Sequence, residues 1–128
     1  MSTPPFTIKH FGPNALLLEW PNRVDVDILM DILGFRAHLL QYHLLGPEWE
    51  MIPVYHSLTV INRNDPAAIK ELIQLLPQWH DNLPVEHKPE TQYWEIPVCY
   101  EASLAPDLLE VSEKLGLQPQ QVVEAHTA

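Results

Sequence analysis

A single cysteine, Cys99, stands in a chain of 128 residues. One thiol excludes an intrachain disulfide and a zinc knuckle, and it is compatible with a reducing compartment. Basic residues are also scarce: seven Lys and Arg face seventeen Asp and Glu, for a formal net charge of -10. A field of that sign repels phosphate backbones and anionic lipid, so neither nucleic acid nor a membrane surface is expected as a partner. No apolar run approaches the ~20 residues of a membrane span. The opening MSTPPFTIKH has neither the cationic nor the apolar block of a signal peptide, which makes the cytoplasm the expected location.

Several chemical signatures are missing as well. There is no GxxxxGK loop followed by Ser or Thr and no GxGxxG, so no nucleotide cofactor is expected on this chain. Ser57 lies in no GxSxG elbow. The chain has seven histidines, but His38 and His43 are five positions apart, roughly 140° around a helix, and no HExxH occurs. The histidines therefore read as partly exposed helix and loop residues, with no metal site.

What is present suits a globular protein. The hydrophobic fraction is 46%, and the length fits one domain, or one domain plus a fragment. Phe6 to His10 and Ala15 to Trp20 flank Gly12, Pro13 and Asn14, the punctuation of a β-hairpin. The second of these strands, ALLLEW, is apolar on successive residues and reads as interior. From Val24 to Leu45, Ile28, Leu29, Ile32, Leu33, Leu39 and Leu40 recur at spacings of three and four, which predicts the main amphipathic helix, interrupted by Gly34 and closed by Pro47. Met51 to Asn62 alternates, with Ile52, Val54, His56, Leu58 and Val60 on one side; one long strand or a bulged pair fits equally. Asp65 and Pro66 read as the cap and first residue of a second helix facing inward through Ala68, Ile69, Leu72, Ile73, Leu75 and Leu76. Pro77 should end or kink it.

The polar, proline-bearing DNLPVEHKPE, residues 81–90, reads as a linker. Tyr93, Trp94, Ile96, Val98 and Tyr100 then have strand composition. Pro106 suits a first helical position, with Asp107 and Glu110 near the positive helix end and Gly116 past the last turn. Pro119 starts another helix containing Val122 and Val123.

The expected fold class is α/β (α+β): a two-layer sandwich whose mostly antiparallel sheet carries two main helices on one face, followed by a strand and two short helices. Residues 1–80 form the expected N-terminal α+β domain, 81–90 the linker, and 91–128 the incomplete start of a second domain. The C-terminal helix, glycine turn and helix also fit a DNA-binding pattern. Charge argues against it, since Lys114 stands alone against Asp107, Glu110, Glu113 and Glu124.

The runs EIPVCY, PDLLEVSEKLGL and QQVVEAHT resemble the start of the second domain in the family of the 5-oxoprolinase B component, also called the allophanate hydrolase subunit 1 or sporulation-kinase-inhibitor family. Upstream, FGPNALLLEW is similar to that family's opening hairpin and IPVYHSLTVI to its central strand pair. The chain departs from the family at Glu101 and Ala102, where a glycine pair is usual, and at Gly12 and Pro13, where Gly-Asp is. The resemblance implies that the segment after His126 leads into a cyclophilin-like β-rich domain with a Gly-Phe-Pro-Gly signature, which this sequence lacks.

The resemblance further implies the B component of an assembly that opens 5-oxoproline to glutamate at the expense of ATP, with a C subunit and an A subunit as partners. A second implied role is a protein inhibitor docking on a sensor histidine kinase; a third reading is an isolated interaction domain. On any of these the chain alone is expected to be inactive and to act through protein contacts, among them self-association through the C-terminal segment. Tyr100, Asp107 and His126 match the family's motif and are the candidate site residues. Each also has a purely structural reading: Tyr100 as a strand-end anchor, Asp107 as a complement to a helix N-terminus, and His126 as a surface residue. Cys99 reads as an inert thiol packed in an apolar strand, since a nucleophile beside His126 would need an electropositive setting.

Overall fold

A computed structural model of the chain describes residues 3–84 and 92–128. The chain divides into two compact units, Met1–Thr91 and Gln92–Ala128.

The first unit is a four-stranded antiparallel sheet of order β1-β2-β4-β3 with two helices packed on it. Strands β1 (Thr7–His10) and β2 (Ala15–Glu19) form the hairpin that the sequence predicts, with Thr7 opposite Glu19. Its turn needs Gly12, whose φ of 79° is a left-handed conformation that side chains resist. β2 lies between β1 and β4, and Leu16 and Leu18 are buried, with Trp20 just beyond it, while Leu17 and Glu19 on its other face are half-buried.

Residues 51–62 belong to two strands, β3 (Trp49–Val54) and β4 (Ser57–Asn62), joined by Tyr55 and His56. This reverses part of the expected alternation. Because Val54 pairs with Ser57, Met51 and Pro53 share a face with Val60 and Leu58. Ile52 and Val54 instead lie on the opposite face, each 42% exposed. A two-residue turn resets the period of two, which a continuous strand would have carried through.

The main helix α1 spans Val26–Gln41 rather than residues 24–45. Asp25 caps it by accepting a hydrogen bond from the backbone N–H of Asp27 at 2.9 Å. It stops before Pro47 because His43 takes a left-handed φ of 51°. Leu44 N–H then reaches back to the Leu39 carbonyl at 3.0 Å, closing the helix end. Leu40, expected in the buried stripe, is exposed.

Helix α2 spans Ala68–Asp81 and continues for a full turn past Pro77, which neither ends it nor marks its boundary. Proline removes one intrahelical donor but leaves the residues after it free to stay helical when their apolar face is packed. Asp65 caps the turn ahead of the helix, accepting from Ala67 N–H at 3.0 Å. The expected linker thus begins inside helix at Asp81, and its residues 85–90 lie outside the described residues.

Leu16, Leu18, Leu58 and Val60 from the sheet, with Phe6 and Trp20 beside its strands, meet Ile28, Ile32, Phe35 and Leu39 from α1 and Ile69, Leu72 and Leu76 from α2 in one core. The α+β two-layer arrangement follows from that burial: one sheet face and two helical stripes exclude water together.

In the second unit, Tyr93 to Tyr100 form no strand. Strand composition gives extended backbone, but a ladder also needs a partner, and the described residues of this unit contain no second extended segment that pairs with it. Tyr93, Trp94 and Ile96 are consequently exposed. Helices α3 (Leu108–Leu115) and α4 (Pro119–Thr127) follow. Pro106 precedes α3 by two positions, and Asp107 holds the cap position rather than one in the first turn. Gly116, at φ 63°, allows Leu117 N–H to bond Ser112 O at 3.0 Å and its own N–H to bond Glu113 O at 3.2 Å, the Schellman closure. Pro119 stands at the first position of α4, where Gln118 and Gln121 form a capping box. Among the described residues, no helix is long and apolar enough to cross a membrane.

Candidate functional site

The glycine turn and the capping box of the second unit fold α4 back against α3, and this brings the last turn of α4 to Tyr100. The Tyr100 hydroxyl is hydrogen-bonded to Nδ1 of His126, with the ring planes nearly perpendicular at a centroid separation of 5.9 Å. The proton lies on the phenol or on Nδ1 according to the imidazole tautomer. Asp107 makes no side-chain cap hydrogen bond. Asp107 lies with Tyr100 and His126 in the wall of an open concavity of about 440 Å³, otherwise lined by apolar residues such as Leu104, Leu108 and Val122.

The three residues singled out in the sequence therefore share one concavity, two of them in direct contact. Tyr100 is not a strand end, since no strand precedes it. His126 is exposed, as a surface residue would be, and its ring is nevertheless engaged. Such a wall offers a phenol–imidazole pair able to relay a proton and a carboxylate able to meet a cation or a donor, over an apolar floor. Cys99 is exposed rather than packed, because the segment that carries it is not in a sheet. Among the described residues no group of three or more His, Cys, Asp or Glu side chains could hold a metal ion.

A second polar constellation, which the sequence did not announce, lies in the first unit. Asp31, on α1, accepts from the Trp20 indole N–H at 2.7 Å, and His80 Nε2 lies 3.0 and 3.1 Å from its two carboxylate oxygens. The His80 ring meets Phe6, Phe35 and Trp20 edge-on. Burial alone would raise the Asp31 carboxyl, but hydrogen bonds from His80 and Trp20 and the attraction of His80 outweigh it and hold the group below its ordinary value. The signal available beforehand was Asp31 itself, three residues after Ile28 and four before Phe35 in a stripe that faces the core. A carboxylate at that register needs a partner, but nothing local pointed to His80.

The chain is thus a two-layer α+β unit followed by a proline-led helical module that holds the tyrosine–histidine contact, and comparison with known proteins gives its family. The family described as "Carboxyltransferase domain, subdomain C and D" matches residues 6–128, and the chain belongs to it. The 5-oxoprolinase B subunit of Escherichia coli O157:H7 is 37% identical over 79 residues, which cover 62% of this chain and 36% of that protein. The 5-oxoprolinase B subunit of Bacillus subtilis (strain 168) is 23% identical over 95% of this chain and 55% of that protein. Among solved structures, a conserved uncharacterized protein from Pyrococcus horikoshii matches 94% of this chain and 54% of its own, at 27% identity and a TM-score of 0.52. The chain spans about a third to a half of the length of the curated relatives it matches.

Proposed function

We propose that the chain is a B-type component of an ATP-dependent assembly that opens 5-oxoproline to glutamate, contributing protein contacts rather than the nucleotide chemistry. The observation that carries this reading is the family match running from Phe6 to Ala128, together with two relatives that are both named as the B component of 5-oxoprolinase. In this reading residues 1–80 are an N-terminal domain, 81–90 a linker and 91–128 the opening of a second, cyclophilin-like domain. The partners are an A-type and a C-type subunit, in the cytoplasm. Exposed Tyr93, Trp94 and Ile96 and the concavity of Tyr100, Asp107 and His126 offer the contact surface. Large exposed aromatic and aliphatic side chains in one short segment are the composition of a protein interface.

The test is reconstitution. The chain, an A-type and a C-type subunit from the same genome are mixed in all combinations, and glutamate formed from 5-oxoproline is measured with and without ATP. Turnover requiring ATP and all three polypeptides, and none from the chain alone, is the expected outcome. No turnover, with stable capture and inhibition of a sensor histidine kinase by the chain, would replace this reading with the kinase-inhibitor one.

A further inference from the structure

We propose that the concavity of Tyr100, Asp107 and His126 is the socket for an arginine side chain of a partner polypeptide, flanked on the partner by apolar residues. This rests on the reading of that concavity as a contact surface and deepens it by naming what the concavity receives. The site lies wholly within the second unit.

The apolar walls are reachable from solvent. Leu104, Leu108, Val111 and Val122 line the concavity, and Leu104 and Val111 are 67% and 37% exposed. At about 440 Å³ it has room for one long side chain and its apolar neighbours. Apolar walls around a few placed polar groups are the setting in which an arginine anchor contributes most to a protein contact.

The polar groups select the anchor. Asp107 makes no side-chain cap hydrogen bond to α3, and among the described residues no cation pairs with it. The positive end of α3 supplies only about half a charge beside it, so the full carboxylate charge prevails. Residues 92–128 hold Glu95, Glu101, Asp107, Glu110, Glu113 and Glu124 against Lys114, and Lys114 is already engaged by Glu110. The unit as a whole attracts a cation and repels an anion. The Tyr100–His126 hydrogen bond adds an acceptor. If the phenol donates, its oxygen keeps a lone pair; if Nδ1 of a neutral imidazole donates, Nε2 keeps one. A guanidinium suits both features: its planar fork can present two N–H groups to the carboxylate and has others left for the phenol–imidazole pair. A lysine ammonium lacks the fork, and a neutral or anionic group leaves the carboxylate without a counter-charge.

The experiment is a two-dimensional ¹H–¹⁵N NMR titration of the full chain with the blocked tripeptide acetyl-Leu-Arg-Leu-amide, beside the same peptide with citrulline, an uncharged isostere, in place of arginine. The arginine peptide should give saturable shifts of the Leu108, Val122 and His126 amides, and the citrulline peptide should bind about tenfold more weakly. Asp107→Asn should weaken the arginine peptide by a similar factor. Glu113→Gln, an equal change of net charge on α3 but outside the concavity, should leave it unchanged. Free 5-oxoproline, an anion, should leave these amides unmoved. Absence of saturable shifts, equal affinity for the two peptides, equal weakening by the two substitutions, or saturable binding of 5-oxoproline at these amides would overturn the proposal. Selective binding of the arginine peptide without turnover on reconstitution would uphold the socket and overturn only the 5-oxoprolinase reading.

Discussion

Asp31 and His80 are 49 residues apart in sequence, yet His80 Nε2 lies within 3.1 Å of both carboxylate oxygens of Asp31. The contact ties the last turn of α2 to the middle of α1, and Trp20 joins it from the end of β2. It is a polar clasp set into the edge of an otherwise apolar core.

Replacing Asp31 by alanine leaves His80 and the Trp20 indole without their acceptor. The expected loss is about 1 kcal/mol, the low end for an unsatisfied polar group, because the Asp31 side chain keeps about a third of its exposure. The pH dependence has a definite sign. The Asp31 carboxyl lies below its usual value of 3.8 in the folded chain, so the unfolded chain holds that proton more tightly. The stabilisation is present above the ordinary carboxylate value and disappears as pH falls through the lower folded value. Urea unfolding of wild type and Asp31→Asn across the acid range should show the gap between them closing toward low pH. A gap that widened there would contradict the assignment.

Ile32 and Leu72 sit on the buried stripes of α1 and α2. Alanine at either should cost about 2 to 5 kcal/mol through lost transfer energy and an unfilled cavity. Leu40→Ala, on the exposed side of α1, should stay within about 0.5 kcal/mol. Chemical denaturation of the three variants measures the contrast, and equal losses at Leu40 and Ile32 would mean a different helical register.

Pro77 breaks the hydrogen-bond pattern inside α2 by offering no donor to the carbonyl of Ile73, one turn earlier. Pro77→Ala should raise stability by roughly 1 to 3 kcal/mol, the interval between a partly compensated and a fully penalised helical proline. A lower melting temperature would show that the ring's packing outweighs the missing bond.

Tyr100→Phe and His126→Ala remove the same hydrogen bond from an exposed place. Each should change stability by less than about 1 kcal/mol. In the reconstituted assembly each should lower 5-oxoproline turnover by about tenfold if the concavity is part of the contact surface. Normal turnover from both variants would confine the Tyr–His contact to a role in packing the helical module.

Cys99 is an exposed free thiol. It should react stoichiometrically with a thiol reagent in the native state, without denaturant, and Cys99→Ser should leave partner-dependent turnover unchanged. Protection of the thiol on adding the A- or C-type subunit would map the contact surface onto this segment.

How much of this was legible follows from how far each signal reaches. The β1–β2 hairpin and the stripe of Ile28, Ile32 and Leu39 can be read because their periodicities are local, and Gly12 marks a turn that only glycine enters easily. The faces of Ile52 and Val54 mislead because a two-residue turn looks, in sequence, like two more residues of strand. Tyr93 to Tyr100 mislead for a related reason: β composition fits an extended backbone, whereas a sheet is a property of two segments. The Asp31–His80 contact depends on where two helices cross and leaves only one trace, a carboxylate at a core-facing register. Tyr100 and His126 stand out through resemblance; their contact depends on the Gly116 turn folding α4 back.

The sheet of the first unit ends in β3, and β3 carries Pro53 near its end. An incoming strand seeking to extend the ladder would meet a position with no N–H to offer, while at the opposite margin β1 presents Lys9, whose charge must be desolvated before another backbone can approach. Both open margins of the sheet thus discourage growth by strand addition. In crowded solution the sheet therefore stays at four strands, its two margins offering a neighbouring chain no ready backbone to pair with.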